Sequence, residues 1–383
     1  MGQPVIAVSM NYRLAQWGFL QTAQLLAEGS SNAGLLDQRL AFHWIQENIA
    51  AFGGDPRKVV LWGESAGAQS IAYHLFAYDG RDDNLFRGAI LESGGPTGAQ
   101  VETLTWYNSA VEWVGWGAAN QLACLREVDE ATLFAAHPTV VWNPLLDGDF
   151  LTGYPSQLMQ QGKYTKVPLL IGANTDETFA ISGILNTEED IFNSIFTWRS
   201  YSLTPPTVRR LLELYPDDPC HEPPCAITNC TRSPTRRVDV EASSSNWFRF
   251  SHDIRAPSYR FDQRPFNGNE WDGVKHFLNV AYSFQNISGL LGPSPEYDSH
   301  VKLARAIGQA YIRFVNYLDP NEATANGDDK VEAELLPYWP RYNLDKPTNM
   351  VLNATKNWVE ADTWRKEGIA FMMTPEVAKE LLS

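Results

Sequence analysis

The sequence predicts an α/β fold, a mostly parallel central sheet flanked by helices, and two observations carry that prediction. Short apolar or β-branched runs bounded by Gly, Pro, Asn or Asp alternate with segments of helical periodicity, the pattern of buried parallel strands joined by crossover helices. One such run, Val59-Val60-Leu61-Trp62, leads directly into Gly63-Glu64-Ser65-Ala66-Gly67 and then a helix-compatible segment. That order of strand, sharp turn and helix exposes a serine at the top of a sheet.

Taken in order, residues 5–11 read as the first buried strand and not as a leader peptide, because no charged region or separate apolar block precedes them. Leu36, Leu40, Ile45 and Ile49 recur near helical spacing and place a helix over 36–51, closed by Gly53-Gly54-Asp55-Pro56. The run 59–62 is the next strand and 66–75 the helix that follows the serine. Residues 88–92, 167–171 and 258–261 supply three further strands. A second strong helix covers 298–318, with Val301, Ala304, Ile307, Ala310, Tyr311 and Phe314 on one face. The stretch 215–257 is rich in Pro, Cys, Ser, Thr and Arg and reads as an irregular insertion or divergent loop. With no boundary signal elsewhere, residues 1–383 are expected to form a single domain.

A net charge of −15 and the absence of any basic block argue against a nucleic-acid partner, whose phosphates are bound by Lys and Arg. No run approaches the ~20 apolar residues needed to span a bilayer. Cys220, Cys225 and Cys230 are spaced too widely for a usual zinc pattern, and Cys124 stands apart. Sequons at Asn229, Asn286 and Asn353 permit N-glycosylation, although chance alone supplies roughly two.

The chemistry starts at Ser65. A serine hydroxyl is a weak nucleophile at neutral pH, so it needs a neutral imidazole as base and a carboxylate to hold that imidazole's tautomer. The glycines fit a turn in which side chains two positions either side of the serine would collide. In an elbow of this kind the acid follows a later strand, and the run 167–171 leads into Asp176-Glu177, between which the residues alone do not choose. His43, His74 and His137 precede the acid and read as structural. His221 lies in the irregular stretch and His300 at a helix start. His276, on a loop after the 258–261 strand, is the favoured base, with His252 its nearest rival.

The order of further motifs resembles the type-B carboxylesterase/lipase family, which includes cholinesterases and fungal secreted lipases. The matching segments are Asn11-Tyr12-Arg13-Leu14, Asn32-Ala33-Gly34-Leu35-Leu36-Asp37-Gln38, Phe52-Gly53-Gly54-Asp55-Pro56, the Ser65 elbow, Glu92-Ser93-Gly94, Pro144-Leu145-Leu146-Asp147-Gly148, Asp176-Glu177, Tyr259-Arg260-Phe261-Asp262, Gly273-Val274-Lys275-His276 and Trp339-Pro340-Arg341-Tyr342. The resemblance implies an α/β-hydrolase fold and a serine ester hydrolase. It makes Ser65 the nucleophile, Glu177 the acid and His276 the base, with the Ala66 N–H as one oxyanion donor and Glu64 and Ser93 beside them. It implies a small-molecule ester substrate, no cofactor or metal, and secretion.

Three positions depart from the family pattern: Thr178 where a Gly follows the acidic pair, Asn279 where a carboxylate lies three residues after the histidine, and a missing Cys near Trp116 that leaves Cys124 unpaired. The family also places, ahead of the 5–11 run, a strand ending in a His-Gly-Gly-Gly-type loop that forms most of the oxyanion hole. No such loop occurs in these residues, and one oxyanion donor is worth ~10²–10³ in rate. The 383-residue chain by itself is therefore expected to lack the first strands of the fold and to be poorly stable. Two other function classes accompany the enzyme reading: a catalytically silent cholinesterase-like adhesion module and an inactive fragment of a truncated gene.

Overall fold

A computed structural model describes residues 3–20, 22–96, 121–135, 142–177, 187–198, 203–215, 256–267, 273–290, 292–321, 336–363 and 365–381. Its sheet has six strands ordered as in the sequence: β1 (Val60–Glu64), β2 (Gly88–Glu92), β3 (Leu169–Asn174), β4 (Ser258–Phe261), β5 (Thr348–Leu352) and β6 (Trp358–Ala361). Strands β1 to β5 are parallel and β6 returns antiparallel to β5.

The inner strands β2 and β3 are buried on both faces because the pleat divides one apolar run between two cores. Ala89, Leu91, Leu169 and Ile171 pack with Ile71, Phe76 and Phe42, from the helices Ala66–Gly80 and Ala33–Asn48. Their neighbours Ile90 and Leu170 face the other way and join Tyr259, Phe261, Ile307, Tyr311 and Phe314, the last three on the helix Asp298–Tyr317. Each fully buried side chain of this size contributes roughly 1.5–3 kcal/mol over an exposed one. A third cluster packs the helices Pro205–Leu214 and Lys366–Met372 around Tyr215.

Four of the expected strands are present, and the six residues expected on one face of the helix Asp298–Tyr317 are all buried. The helix Ala33–Asn48 differs in phase: its buried stripe is Leu35, Gln38, Phe42 and Ile45, continued by Ile49, whereas Leu40 is 70% exposed. The stripe includes a polar residue, and that hid its true phase from an apolar count. Residues 5–11 form no strand, and Val5, Ile6 and Val8 are between 42% and 47% exposed. An apolar run becomes a buried strand only where its backbone finds ladder partners, and β1 pairs with β2 alone among the described strands. Strands β5 and β6 went unpredicted because each is short, Thr348-Asn349 opens the one polar, and Val359 is an exposed residue in the other. Of the irregular stretch 215–257, residues 216–255 lie outside the described residues, as do Asn229, His137, His221, His252, Thr178, Trp116 and the three clustered cysteines. Cys124 is free.

Candidate active site

The carboxyl ends of β1 to β4 converge on one rim, where parallel α/β sheets carry their chemistry. Register puts Glu64 beside Glu92, and Glu92 beside Gly172, so the residues that leave β1 and β2, Ser65 and Ser93, emerge side by side. Both take positive φ, near 54°, which costs a non-glycine residue roughly 1–2 kcal/mol. Ser65 has ψ −119° and opens directly into the helix Ala66–Gly80.

Two contacts enforce that turn. A Cβ on Gly63 would lie 2.5 Å from the Gly67 carbonyl carbon and 2.7 Å from its oxygen, and a Cβ on Gly94 would lie 2.4 Å from the Ser65 oxygen. The expected collision therefore holds at Gly63 but not at Gly67, where an added Cβ meets nothing within 4 Å. The close approach is of a side chain at 63 to the backbone at 67, and the reverse vector points to open space. The turn is tied to β2 by the Ser65 N–H, which donates to the Glu92 carbonyl at 2.9 Å. Ala66 is the first residue of the helix, and its N–H is one of the donors that no helix satisfies internally. Ser93 donates its N–H to the Gly172 carbonyl at 2.8 Å, while its buried hydroxyl has no hydrogen-bond partner among the described residues.

The acidic pair separates cleanly. Glu177 Oε2 contacts His276 Nδ1, and the Glu177 carbonyl accepts the His276 N–H at 3.1 Å. Asp176 turns the other way: its Oδ2 accepts the Val274 N–H at 2.7 Å, and its own N–H donates to the Val274 carbonyl. Asp176 is the buried stitch between the acid loop and the histidine loop, and Glu177 the residue that faces the ring. Burial pushes the Asp176 carboxyl up to about 7 against its Val274 hydrogen bond, with the Asp262 charge adding to the rise.

Burial opposes protonation of His276, but the Glu177 hydrogen bond and the charges of Glu177 and Glu64 outweigh it, so its pKa lies above the ordinary imidazole value. The other ring nitrogen, Nε2, has Glu64 Oε1 at 3.3 Å, and none of the hydrogen bonds among described residues joins it to the Ser65 hydroxyl. Glu64 itself is pushed up to about 7 by burial, with Glu177 and Glu92 adding repulsion and His276 opposing.

The rival histidines are accounted for where they are described. His74 is buried against Gln38, and burial together with the Arg39 charge lowers it to about 3. His300 meets the Tyr282 hydroxyl at 2.8 Å, and His43 is exposed. Of the sequons, Asn286 is half-buried, and Asn353 commits its side-chain amide nitrogen to the Asp262 carbonyl. No group of three or more His, Cys, Asp or Glu among the described residues could hold a metal ion, and no described helix is long and apolar enough to cross a membrane.

Three residues the sequence reasoning did not single out complete the site. Asn174, at the end of β3, donates its N–H to Glu177 Oε1 at 2.5 Å. It joins Asn279, three residues after His276, at 3.0 Å, and Asn279 in turn reaches Glu92 at 3.0 Å. Only the quoted motif containing Glu92 and the departure at Asn279 pointed toward them.

A fold with this rim has relatives. The chain matches the carboxylesterase family model over residues 1–372. It is 32% identical to Lipase 4 of Diutina rugosa over 98% of this chain and 70% of that protein. It is also 32% identical to Secreted lipase 1 of Botryotinia fuckeliana (strain B05.10), over 89% of this chain and 62% of the relative. The crystal structure of Aspergillus niger EstA superposes with a TM-score of 0.79 at 25% identity, covering 97% of this chain and 74% of that one. A family match across nearly the whole chain, on a parallel sheet that ends in a strained serine turn, makes this protein a member of the carboxylesterase family.

Proposed function

We propose that the chain hydrolyses carboxylic esters through an acyl-enzyme on Ser65, with His276 as general base and Glu177 orienting and stabilising the ring. The observation that carries this reading is the meeting, on one rim, of a serine held at positive φ with a histidine whose Nδ1 is bound by Glu177. As Ser65 Oγ attacks the ester carbonyl carbon, its proton passes to His276 Nε2, and the oxygen that becomes negative is stabilised by the Ala66 N–H. Collapse of the tetrahedral adduct breaks the bond to the alcohol oxygen, which takes the proton from His276. Water, deprotonated by the same nitrogen, then attacks the acyl carbon and releases acid and free serine.

Glu177 fixes the tautomer: with its carboxylate on Nδ1, the proton sits there and Nε2 is left as the acceptor. The substrate class is a small-molecule ester, and secretion, as named for the Botryotinia fuckeliana relative, fits sequons at Asn286 and Asn353. Turnover of a short p-nitrophenyl ester by the parent chain and its loss in S65A test the reading. Equal turnover by the two would sink it.

A further inference from the structure

Glu92 is fully buried at the end of β2, and none of the described cations pairs with it. Four donors surround its carboxylate. Trp62 Nε1 reaches Oε2 at 2.8 Å, while Asn279 Nδ2 (3.0 Å), the Ser283 hydroxyl (2.6 Å) and the Tyr311 hydroxyl (2.9 Å) all converge on Oε1. A carboxylate in the interior is costly unless it is fully hydrogen-bonded. Burial holds the Glu92 pKa above the ordinary carboxylate value, and these donors offset only part of that rise. Two of them, the Trp62 indole N–H and the Asn279 amide, can only donate, and they address different oxygens. A proton on Oε2 would face the Trp62 N–H, so Oε2 stays an acceptor, and Oε1 accepts from the Asn279 amide whether or not the Ser283 or Tyr311 hydroxyl takes a proton from it.

The direction of the Asn279 amide is set by a backbone group. Asn174 Nδ2 lies 2.7 Å from the Lys275 carbonyl, which only a donor can occupy. The same nitrogen lies 3.0 Å from Asn279 Oδ1, so Asn279 must turn its own nitrogen to Glu92. The polarity runs unbroken from Glu92 through Asn279 and Asn174 to the loop that carries Glu177 and His276. The Asn174 N–H also holds Glu177 Oε1 directly, at 2.5 Å, and the Glu92 carbonyl holds the Ser65 N–H at 2.9 Å. One residue thus grips the nucleophile's backbone and, by a two-asparagine relay, the acid and the base.

We propose that Glu92 is a positioning residue for the reaction: its carboxyl, an acceptor toward both Trp62 and Asn279, sets the polarity of the Asn279–Asn174 relay and so keeps Glu177 and His276 in register with Ser65. The carboxylate missing at position 279 is thereby supplied from β2. This rests on the roles proposed above for Ser65, Glu177 and His276.

The test is E92Q alone and combined with N279D. In E92Q the new amide must aim its nitrogen at either Asn279 Nδ2 or Trp62 Nε1, donor against donor. In E92Q/N279D that nitrogen faces a carboxylate, the amide oxygen faces Trp62, the Tyr311 hydroxyl rotates to accept the second amide hydrogen, and the Ser283 hydroxyl turns to the backbone carbonyl of residue 279, 3.1 Å away. The kinetic arm compares kcat and KM on a p-nitrophenyl ester, with S65A as control. The second arm follows the downfield proton resonance of His276 Nδ1–H, which needs no turnover. E92Q is expected to lower kcat about 10- to 100-fold at nearly constant KM and to broaden or shift the resonance, and the double variant to recover both. Unchanged kcat and resonance in a folded E92Q, or a loss that the folded double variant leaves unrepaired, would overturn the proposal. If E92Q does not fold, N279A cuts the relay at its middle and is expected to give the same loss; an N279A protein with parental kcat and resonance would overturn it. A parent that does not turn over, or an S65A protein that does, fails the assignment of roles, and the resonance still decides on Glu92.

Discussion

The two sides of the rim are held by different physics. The nucleophile's turn is specified locally: Gly63 and Gly67 are four residues apart, and the backbone at one leaves no space for a side chain at the other. The acid and base are held from afar, Glu177 and His276 being 99 residues apart and joined by hydrogen bonds that also enlist Val274, Asn174, Asn279 and Glu92. A short-range steric device writes itself into a motif. A long-range polar one is spread over single residues that look ordinary in the sequence.

Breaking either side separates the two devices. The largest effect belongs to S65A, which is expected to cost about 10⁴–10⁶ in kcat, the scale for loss of a serine nucleophile, with an unchanged melting transition. Next comes E177Q. An amide on Nδ1 favours the wrong tautomer, and a loss of about 10³–10⁴ in kcat at near-constant KM is expected. A loss below tenfold would remove Glu177 from its assigned role.

The same pair sets the acid limb of the pH profile. In the proposed mechanism neutral His276 is the base, and its pKa is raised, so kcat/KM should rise with pH through a value above the ordinary 6.5 of imidazole and fall away below it. In E177Q the Glu177 charge and its charge-assisted hydrogen bond are gone and only Glu64 still raises it, so the limb should move to lower pH. A parental limb below 6.5, or one that E177Q leaves in place, contradicts this arrangement.

Smaller effects test the elbow and the stitch. G63A drives a Cβ into the Gly67 backbone, and overpacking of that kind costs about 1–3 kcal/mol, read as a fall in the denaturation midpoint with a matching drop in kcat. Asp176 has a folded-state pKa of about 7 against 3.8. The unfolded chain ionises there first, so stability is lost as pH rises from 4 to 7, by up to about 4 kcal/mol. D176N should flatten that loss in denaturant titrations at pH 5 and pH 8. The smallest effect is expected of G67A, whose Cβ meets nothing and whose helical position favours alanine by about 0.5–1 kcal/mol.

The contrast also explains what the sequence disclosed. The elbow, the order of strands β1 to β4 and the meeting of His276 with the acidic pair were legible, because each rests on local pattern or chain order. Asp176 and Glu177 were not separable from the residues alone, since what divides them is the Val274 backbone, about a hundred residues away. Residues 5–11 carry the same apolar signature as β2, yet Val5, Ile6 and Val8 stand exposed, because strand formation depends on pairing that no single run encodes. Asn279 read as a defect in the motif until the structure placed Glu92 opposite it.

The central claim is that Ser65 is made nucleophilic by a His276 that Glu177 holds. Covalent labelling by a fluorophosphonate, followed by peptide mass spectrometry, reads this directly and without a chosen substrate. The account predicts one label per chain, on the peptide carrying Ser65, abolished by S65A and strongly slowed by H276A and E177Q. No labelling of a folded parent, or labelling at another serine that survives S65A, would contradict it.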